Sequence, residues 1–334
     1  MRLKIDPFTL ILLGAILIAS LWPAKGALAT VLGQASTLAV AILFFLHGAA
    51  LSRQEVVAGA AHWRLHLLIV SLTFLVFPLL VVPVSALAPR WIPEDLALGF
   101  LYLGVLPSAV SSSIAFTAMA RGNVPAAVCS AAASNVFGMM LTPFLLMLLV
   151  STAGEGGFAV VDALRDIIFQ LLLPFAVGQL IRPWVAGFMD RNKTWLGRYD
   201  QGVILLIVYS AFSTSVASGL WQKLPIFAII LAILLCTLLL ALVMGIASLA
   251  SSRAGFNLED EAAAVFCGSK KSLASGLPMA KVLFAGHPGF GMIVLPIMCY
   301  NQIQIIVGAI LAKHYRQRIE RADHAADVTQ SQKS

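Results

Sequence analysis

The chain has 334 residues, of which 60% are hydrophobic and 11% are charged, and its mean hydropathy is +0.93. Soluble domains carry about 25% charged residues, so the composition excludes a soluble protein and indicates an all-α polytopic membrane protein embedded in a lipid bilayer. The formal net charge is +7, but much of the excess lies just after the last apolar stretch. That position is typical of membrane topology, and we predict no nucleic-acid partner.

Apolar stretches separated by polar residues, glycine or proline predict ten transmembrane helices in a single domain, 1–334. In chain order the first five are 8–23, 34–51, 65–86, 96–119 and 124–150, and the second five are 163–185, 202–220, 225–250, 261–284 and 288–312. Most lysines and arginines outside these spans fall in loops on the side of the two termini. Both termini, including a basic tail at 313–334, are therefore predicted to be cytoplasmic.

The two sets of five spans share a pattern of hydropathy and helix breakers. The fourth span is interrupted by LPSAVSSSIAF at 106–116, and the ninth by GSKKSLASGLP at 268–278. Because a unit of five spans is odd-numbered, its second copy inserts upside down, which predicts two inverted repeats, 8–150 and 163–312. Paired broken helices of this kind hold the binding site of secondary transporters near the membrane midplane. The alternative is that small residues only allow close helix packing.

Two adjacent lysines, Lys270 and Lys271, lie inside the apolar stretch 262–284. A charge near the bilayer centre costs at least about 2.5–3.5 kcal/mol, so such residues usually face a cavity and have a function there. The neighbouring residues that favour a helix break are Gly268, Gly276 and Pro278, and Ser269 and Ser272 join the two lysines as predicted substrate- or ion-binding residues. The alternative is a short polar loop between two spans.

Other polar residues in the spans complete a predicted binding cavity for a small-molecule substrate. The fourth span, which Pro107 is predicted to break, contributes Ser111, Ser112 and Ser113. The fifth contributes Ser130, Ser134 and Asn135, and the tenth contributes Asn301 and Gln302. The alternative for each is a hydrogen bond between helices or to the preceding turn.

Three further features bear on function. His47, near the end of the second span, is either a proton relay or an interfacial packing residue. The acids at 259–261 are predicted to be solvated at a helix N-terminus. The sequence has no phosphate-binding GxxxxGK[ST] loop, and its cysteines lack metal-ligand spacing, so we predict no enzyme activity, no metal site and no cofactor.

Four segments resemble the bile acid:sodium symporter-like family, in the branch that contains solute carrier family 10 member 7. They are FFLHGAALSR (44–53), HWRLHL (62–67), FLYLGVLPSAVSSSIAFTAMARGN (100–123) and FCGSKKSLASGLPMAK (266–281). The resemblance implies a core domain with crossed, broken fourth and ninth helices, and a panel domain beside it. It also implies sodium near the crossover, bound by a Ser-Asn pair on the fourth helix, hydroxyls on the fifth, and a Glu with a nearby Gln on the ninth.

The sequence departs from that implied sodium site. Ser112 and Ser113 stand near the Ser-Asn pair, and Lys270 and Lys271 replace the Glu and Gln. Our hypothesis is that a lysine ammonium takes the place of a bound sodium ion, solvated by hydroxyls and carbonyls. Because burial disfavours a charged lysine, the coupling ion is either Na⁺ or H⁺, and a uniporter is a further option.

The sequence therefore predicts a secondary transporter of the bacterial cytoplasmic (inner) membrane that moves a small organic, anionic solute by alternating access. The alternatives are a membrane regulator of ion homeostasis, for example of calcium, that does not transport, and a channel. The oligomeric state is not specified by the sequence.

Overall fold

A computed structural model describes residues 7–50, 62–85, 91–152, 168–217, 219 and 225–331, and these residues form helices without a strand. The first half contains α1 (Pro7–Leu21), α2 (Ala27–Ala50), α3 (Trp63–Ser71), a π-helical turn (Leu72–Val76), α4 (Phe77–Ser85), α5 (Glu94–Val105), α6 (Val110–Met119) and α7 (Val124–Thr152). The second half contains a π-helical turn (Ile168–Leu172), α8 (Leu173–Arg191), α9 (Lys193–Ala217), α10 (Ile226–Arg253), α11 (Leu258–Ser269), α12 (Leu273–Leu283) and α13 (Phe290–Ser331).

The part of the chain that the structure describes contains seven helices long and apolar enough to cross a membrane, or eight if the bent pair α5–α6 counts as one span. The prediction of a polytopic helical membrane protein is therefore confirmed. The predicted span 163–185 begins outside the described residues. The last helix runs on to Ser331, so the described part of the predicted basic tail is helical, with an ion pair of 2.8 Å between Arg316 and Glu320 one turn apart.

The fourth predicted span is broken at 106–109, where α5 and α6 meet at an angle of 60°. Leu106 is extended, with φ −68° and ψ 150°, because the ring of Pro107 disfavours the helical conformation in the residue before it. Ser111, Ser112 and Ser113 lie in the first turn of α6 and are not part of the break.

The ninth predicted span is broken at 270–272, between α11 and α12. Lys270 is extended, with φ −87° and ψ 142°, and Ser272 caps α12 by accepting the N–H of Ser275. Ser272 N also donates to Pro107 O at 3.0 Å, so the two breaks pair backbone to backbone where the helices cross.

Three residues that the sequence assigned to the second break lie inside helices instead. Gly268 belongs to the last turn of α11, and both Gly276 and Pro278 belong to α12. The glycines serve close packing, since a Cβ on Gly268 would lie 2.7 Å from Leu72. Among these helix-break residues, only Pro107 lies in a break.

The helices pack as two groups. One group contains α1, α2, α8 and α9, and the other contains α3–α7 and α10–α13. In the first group, α2 and α8 approach closely because Gly48 and Gly178 each face backbone of the other helix. In the second group, Asp260 and Glu261 at the start of α11 are only 5% and 3% exposed. The prediction that the acids at 259–261 are solvated was wrong for these two residues. Glu261 accepts hydroxyl hydrogen bonds from α10 and α13, and Asp260 accepts from Asn123 Nδ2 at 2.7 Å.

Candidate functional site

A cavity of about 560 Å³ lies between the two helix groups, at the crossing of the broken helices. Its crossover wall is formed by the starts of α6 and α12 together with α7 and α13, and its facing wall by α1, α2, α8 and α9. The predicted site residues that line it are Ser111, Ser112, Asn135, Ser272 and Asn301. A volume of this size is typical of a small-molecule site.

The crossover wall presents two helix N-termini to the cavity. Ala109, Val110, Ser111 and Ser112 line it at the start of α6, and 272–275 line it at the start of α12. No side chain caps α6, and the Ser112 hydroxyl is buried without a hydrogen-bond partner in the described residues. The first amides of a helix and its positive dipole end favour an anion.

Asn135 of α7 joins the two broken helices. Its Nδ2 donates to Ser108 O at 2.8 Å in the first break, and its Oδ1 accepts from the Ser275 hydroxyl at 2.6 Å in α12. The amide thus satisfies a carbonyl that the break removes from the helical ladder. Asn135 both lines the cavity and fixes the relative position of α6 and α12.

The facing wall contains an imidazole–carboxylate pair. His47 Nε2 of α2 lies 3.2 Å from Asp200 Oδ2 of α9, and both side chains line the cavity. The sequence did not predict Asp200 as a site residue, because the seventh span was predicted to begin at 202, whereas α9 begins at Lys193. The helical spacing of Asp200 from the buried positions Val203, Ile204 and Ile207 was the signal that could have placed it on a helix.

Lys271 is fully buried and does not line the cavity. Its Nζ donates to three carbonyl oxygens, those of Thr73 at 3.0 Å, Gly104 at 2.8 Å and Leu106 at 2.7 Å. The Nζ atom also lies 4.1 Å from the centre of the Phe77 ring, which adds a cation–π contact.

These three carbonyls have lost helical donors. The Ser108 N–H, which would pair with Gly104 O in a continuous helix, donates instead to Ser134 Oγ at 2.9 Å. Leu106 lies in the break itself. In the π-helical turn, the Phe77 N–H bonds to Leu72 O, and the next residue, Pro78, has no N–H. The ammonium therefore occupies a site made by one helix end and one irregular turn.

Lys270 is also fully buried but points to different helices. Its Nζ donates to Gln304 O of α13 at 3.0 Å and lies 4.0 Å from the centre of the Phe116 ring. Gly308 makes room for it, since a Cβ there would lie 2.8 Å from Nζ. Among the described residues, no carboxylate lies within 4.0 Å of either lysine.

The other predicted site residues do not line the cavity. Ser113 Oγ donates to Phe266 O at 3.0 Å, Ser134 Oγ accepts from Ser108 N, and Ser130 Oγ is 2.6 Å from His66 Nδ1. Ser269 donates to the preceding turn, and Gln302 is half-buried on α13.

Gln304 is a site residue that the prediction omitted. It is fully buried, its Oε1 accepts from Lys271 N at 2.9 Å, and its Nε2 donates to Lys271 O at 3.0 Å. A single amide thus satisfies both backbone groups of Lys271. The neighbouring Tyr300 hydroxyl donates to Ser269 O at 2.6 Å in the same way.

Residues 6–317 match the model of the SBF-like CPA transporter family. The chain belongs to this family. It is 49% identical to the uncharacterised protein PA2026 of Pseudomonas aeruginosa over 327 residues. These aligned residues cover 98% of this chain and 97% of that protein. It is 45% identical over 317 residues to YfeH of Escherichia coli K12, a protein provisionally named a symporter, with 95% of each chain covered.

A vertebrate relative is similar over most of the chain. Sodium/bile acid cotransporter 7 of Rattus norvegicus is 30% identical over 282 residues, which cover 83% of this chain and 81% of that protein. The family and these relatives identify the chain as a multi-span membrane protein of a transporter family, in agreement with its apolar helices. The names of the family, of YfeH and of the rat protein are those of transporters, which is consistent with the prediction that the chain is not an enzyme.

Proposed function

We propose that this protein is a secondary active transporter that moves a small organic solute with an anionic group across the bacterial cytoplasmic membrane by alternating access. The proposed architecture is ten spans in two inverted five-helix repeats, with both termini cytoplasmic. The group α1, α2, α8 and α9 forms the panel domain, and the other group forms the core domain. The packing of the helices in two groups around one cavity supports this arrangement.

The anionic group of the solute binds at the crossover wall. The N-terminal ends of α6 and α12 both reach the cavity, and Ser111, Ser112 and Ser272 add hydroxyls beside them. Half-helix N-termini at the membrane midplane bind anionic substrate groups in transporters built from inverted repeats.

The ammonium of Lys271 serves as a built-in cation at the crossing. The observation that carries this proposal is its set of three carbonyl contacts at 2.7–3.0 Å, two of them at the C-terminal end of α5. Half-helix C-termini and unwound carbonyls coordinate the coupling cation in such transporters. A covalently attached ammonium at this place removes the need for a bound sodium ion there.

Sodium dependence of protein stability tests this proposal. The detergent-purified protein is melted in increasing NaCl, with KCl and choline chloride at matched ionic strength. We expect no sodium-specific rise in Tm for the wild type, and a saturable, sodium-specific rise for Lys271→Ala, in which the carbonyls are vacated. A ligand that binds the folded state at a hundred times its Kd adds about 2.7 kcal/mol, which melting curves resolve.

Lys281→Ala is the matched control, because it removes a lysine from α12, the helix that follows the break. We expect this control to behave as the wild type does. A saturable sodium-specific rise in the wild type would reject the built-in cation and would make sodium symport the better model.

A further inference from the structure

The cavity contains one acid and no described basic residue except an imidazole. Among the described residues that line it, Asp200 is the only carboxylate and His47 the only imidazole, and there is no lysine or arginine. Both lie on the facing wall, across the cavity from the N-termini of α6 and α12. The cavity therefore has an anion-binding wall and an acidic wall.

Asp200 lines the cavity with a carboxylate that has one oxygen without a hydrogen-bond donor. Its Oδ2 is paired with His47 Nε2 at 3.2 Å, whereas its Oδ1 is buried and has no hydrogen-bond partner in the described structure. Arg182, on the neighbouring α8, donates Nη1 to Ala49 O at 2.9 Å. A buried carboxylate oxygen without a donor is unfavourable, and a ligand that supplies a donor relieves this.

Building on the proposed function, we propose that the transported solute is zwitterionic, with an ammonium or similar cationic donor in addition to its anionic group. The cationic group pairs with the Asp200 carboxylate, while the anionic group lies at the starts of α6 and α12. A solute with an anionic group alone would place negative charge in the same cavity as Asp200, where the imidazole of His47 is the only described basic group in the lining.

Matched probes of one carbon skeleton test the charge requirement. We would titrate γ-aminobutyrate, butyrate and butylamine, and then ε-aminocaproate, caproate and hexylamine, against the purified protein at constant ionic strength and pH 7. Apparent Kd is taken from the rise in Tm. We expect an amino-carboxylate to bind more tightly than both the carboxylate and the amine of its own set.

Asp200→Asn is the decisive variant, because it keeps the shape and an acceptor for His47 while removing the charge. We expect it to raise the Kd of the amino-carboxylate by about tenfold or more, and to leave carboxylate binding unchanged or tighter. His47→Gln keeps the carboxylate and should retain the preference for amino-carboxylates. Asp95→Asn is the matched control, since Asp95 lies 3.8 Å from His287 in a similar pair that does not line the cavity.

The outcomes separate the inference from the function on which it rests. If carboxylates bind as tightly as amino-carboxylates and Asp200→Asn changes neither, the zwitterion inference is wrong and the anion site stands. If amines alone bind, the proposed anion site fails instead. If Asp200→Asn weakens the binding of all probes equally, Asp200 has a structural role and the inference is wrong. The inference is also wrong if no probe raises the Tm of the wild type.

Discussion

Replacing Lys271 with methionine isolates the energetic role of its ammonium. Methionine is close in length to lysine and apolar, so Lys271→Met fills the same space but donates no hydrogen bond. The carbonyls of Thr73, Gly104 and Leu106 then lose their contacts of 3.0, 2.8 and 2.7 Å. All three lie where a break or a π-helical turn has removed the usual helical donor, so the chain has no nearby backbone N–H to replace the ammonium.

The expected size of the effect follows from these contacts. Each buried carbonyl left without a donor costs about 1–3 kcal/mol, which gives about 3–9 kcal/mol for the three together. Several kcal/mol return because the variant no longer buries a charge. We therefore expect a net loss near the lower end of that range, about 3 kcal/mol, which for a chain of this size lowers Tm by about 4 °C.

The matched comparison is Lys270→Met, measured in the same detergent without added sodium. Lys270 donates one hydrogen bond, to the carbonyl of Gln304 within a continuous helix, so its loss should lower Tm by less than half as much. A Lys271→Met variant as stable as the wild type, or two variants with equal losses, would refute the assignment of Lys271 as the cation that the carbonyl site requires.

Three further outcomes are expected. Gly48→Ala should lower Tm by several degrees, because the added Cβ would overlap the backbone carbonyl of Phe175. Gly14→Ala should leave Tm unchanged, because its Cβ would meet nothing within 4 Å. Equal melting curves for the two variants would contradict the close contact between α2 and α8. Glu261→Leu should lower stability by about 1–3 kcal/mol, measured by chemical denaturation, because it removes the buried oxygen that accepts two hydroxyl hydrogen bonds. Val136→Cys, on the cavity lining, should react with a membrane-impermeant thiol reagent from either side of oriented vesicles in a background without native cysteines, since alternating access exposes the cavity to each side in turn; labelling from one side alone would argue against it.

Much of the architecture was predictable from local chemistry. Continuous apolar stretches must form helices in a bilayer, because unpaired backbone groups are too costly there. Pro107 located the first break, since a proline both lacks an N–H and constrains the residue before it. The second break was located less well: glycines and a proline at 268, 276 and 278 proved compatible with helix, because packing against neighbouring helices compensates for poor propensity.

The surroundings of the lysines were decided by tertiary structure. The sequence indicated that two buried ammonium groups need partners, but those partners are carbonyls at Thr73, Gly104, Leu106 and Gln304, from segments far away along the chain. Every residue has a carbonyl, so no sequence pattern marks the ones that will be used. Only the crossing of the two breaks selects them.

The crossover wall of the cavity was predictable from the sequence, whereas the facing wall was decided by the tertiary structure. The sequence by itself determined that polar residues of α6, α7, α12 and α13 would meet at a helix break, because such residues inside apolar spans must face one another or a cavity. Only the tertiary structure brought Asp200 and His47 opposite them. Hydropathy reports how a residue partitions along the membrane normal. The pairing of α2 with α9 depends on how helices pack within one group, and its position opposite α6 and α12 depends on how the two groups pack across the cavity.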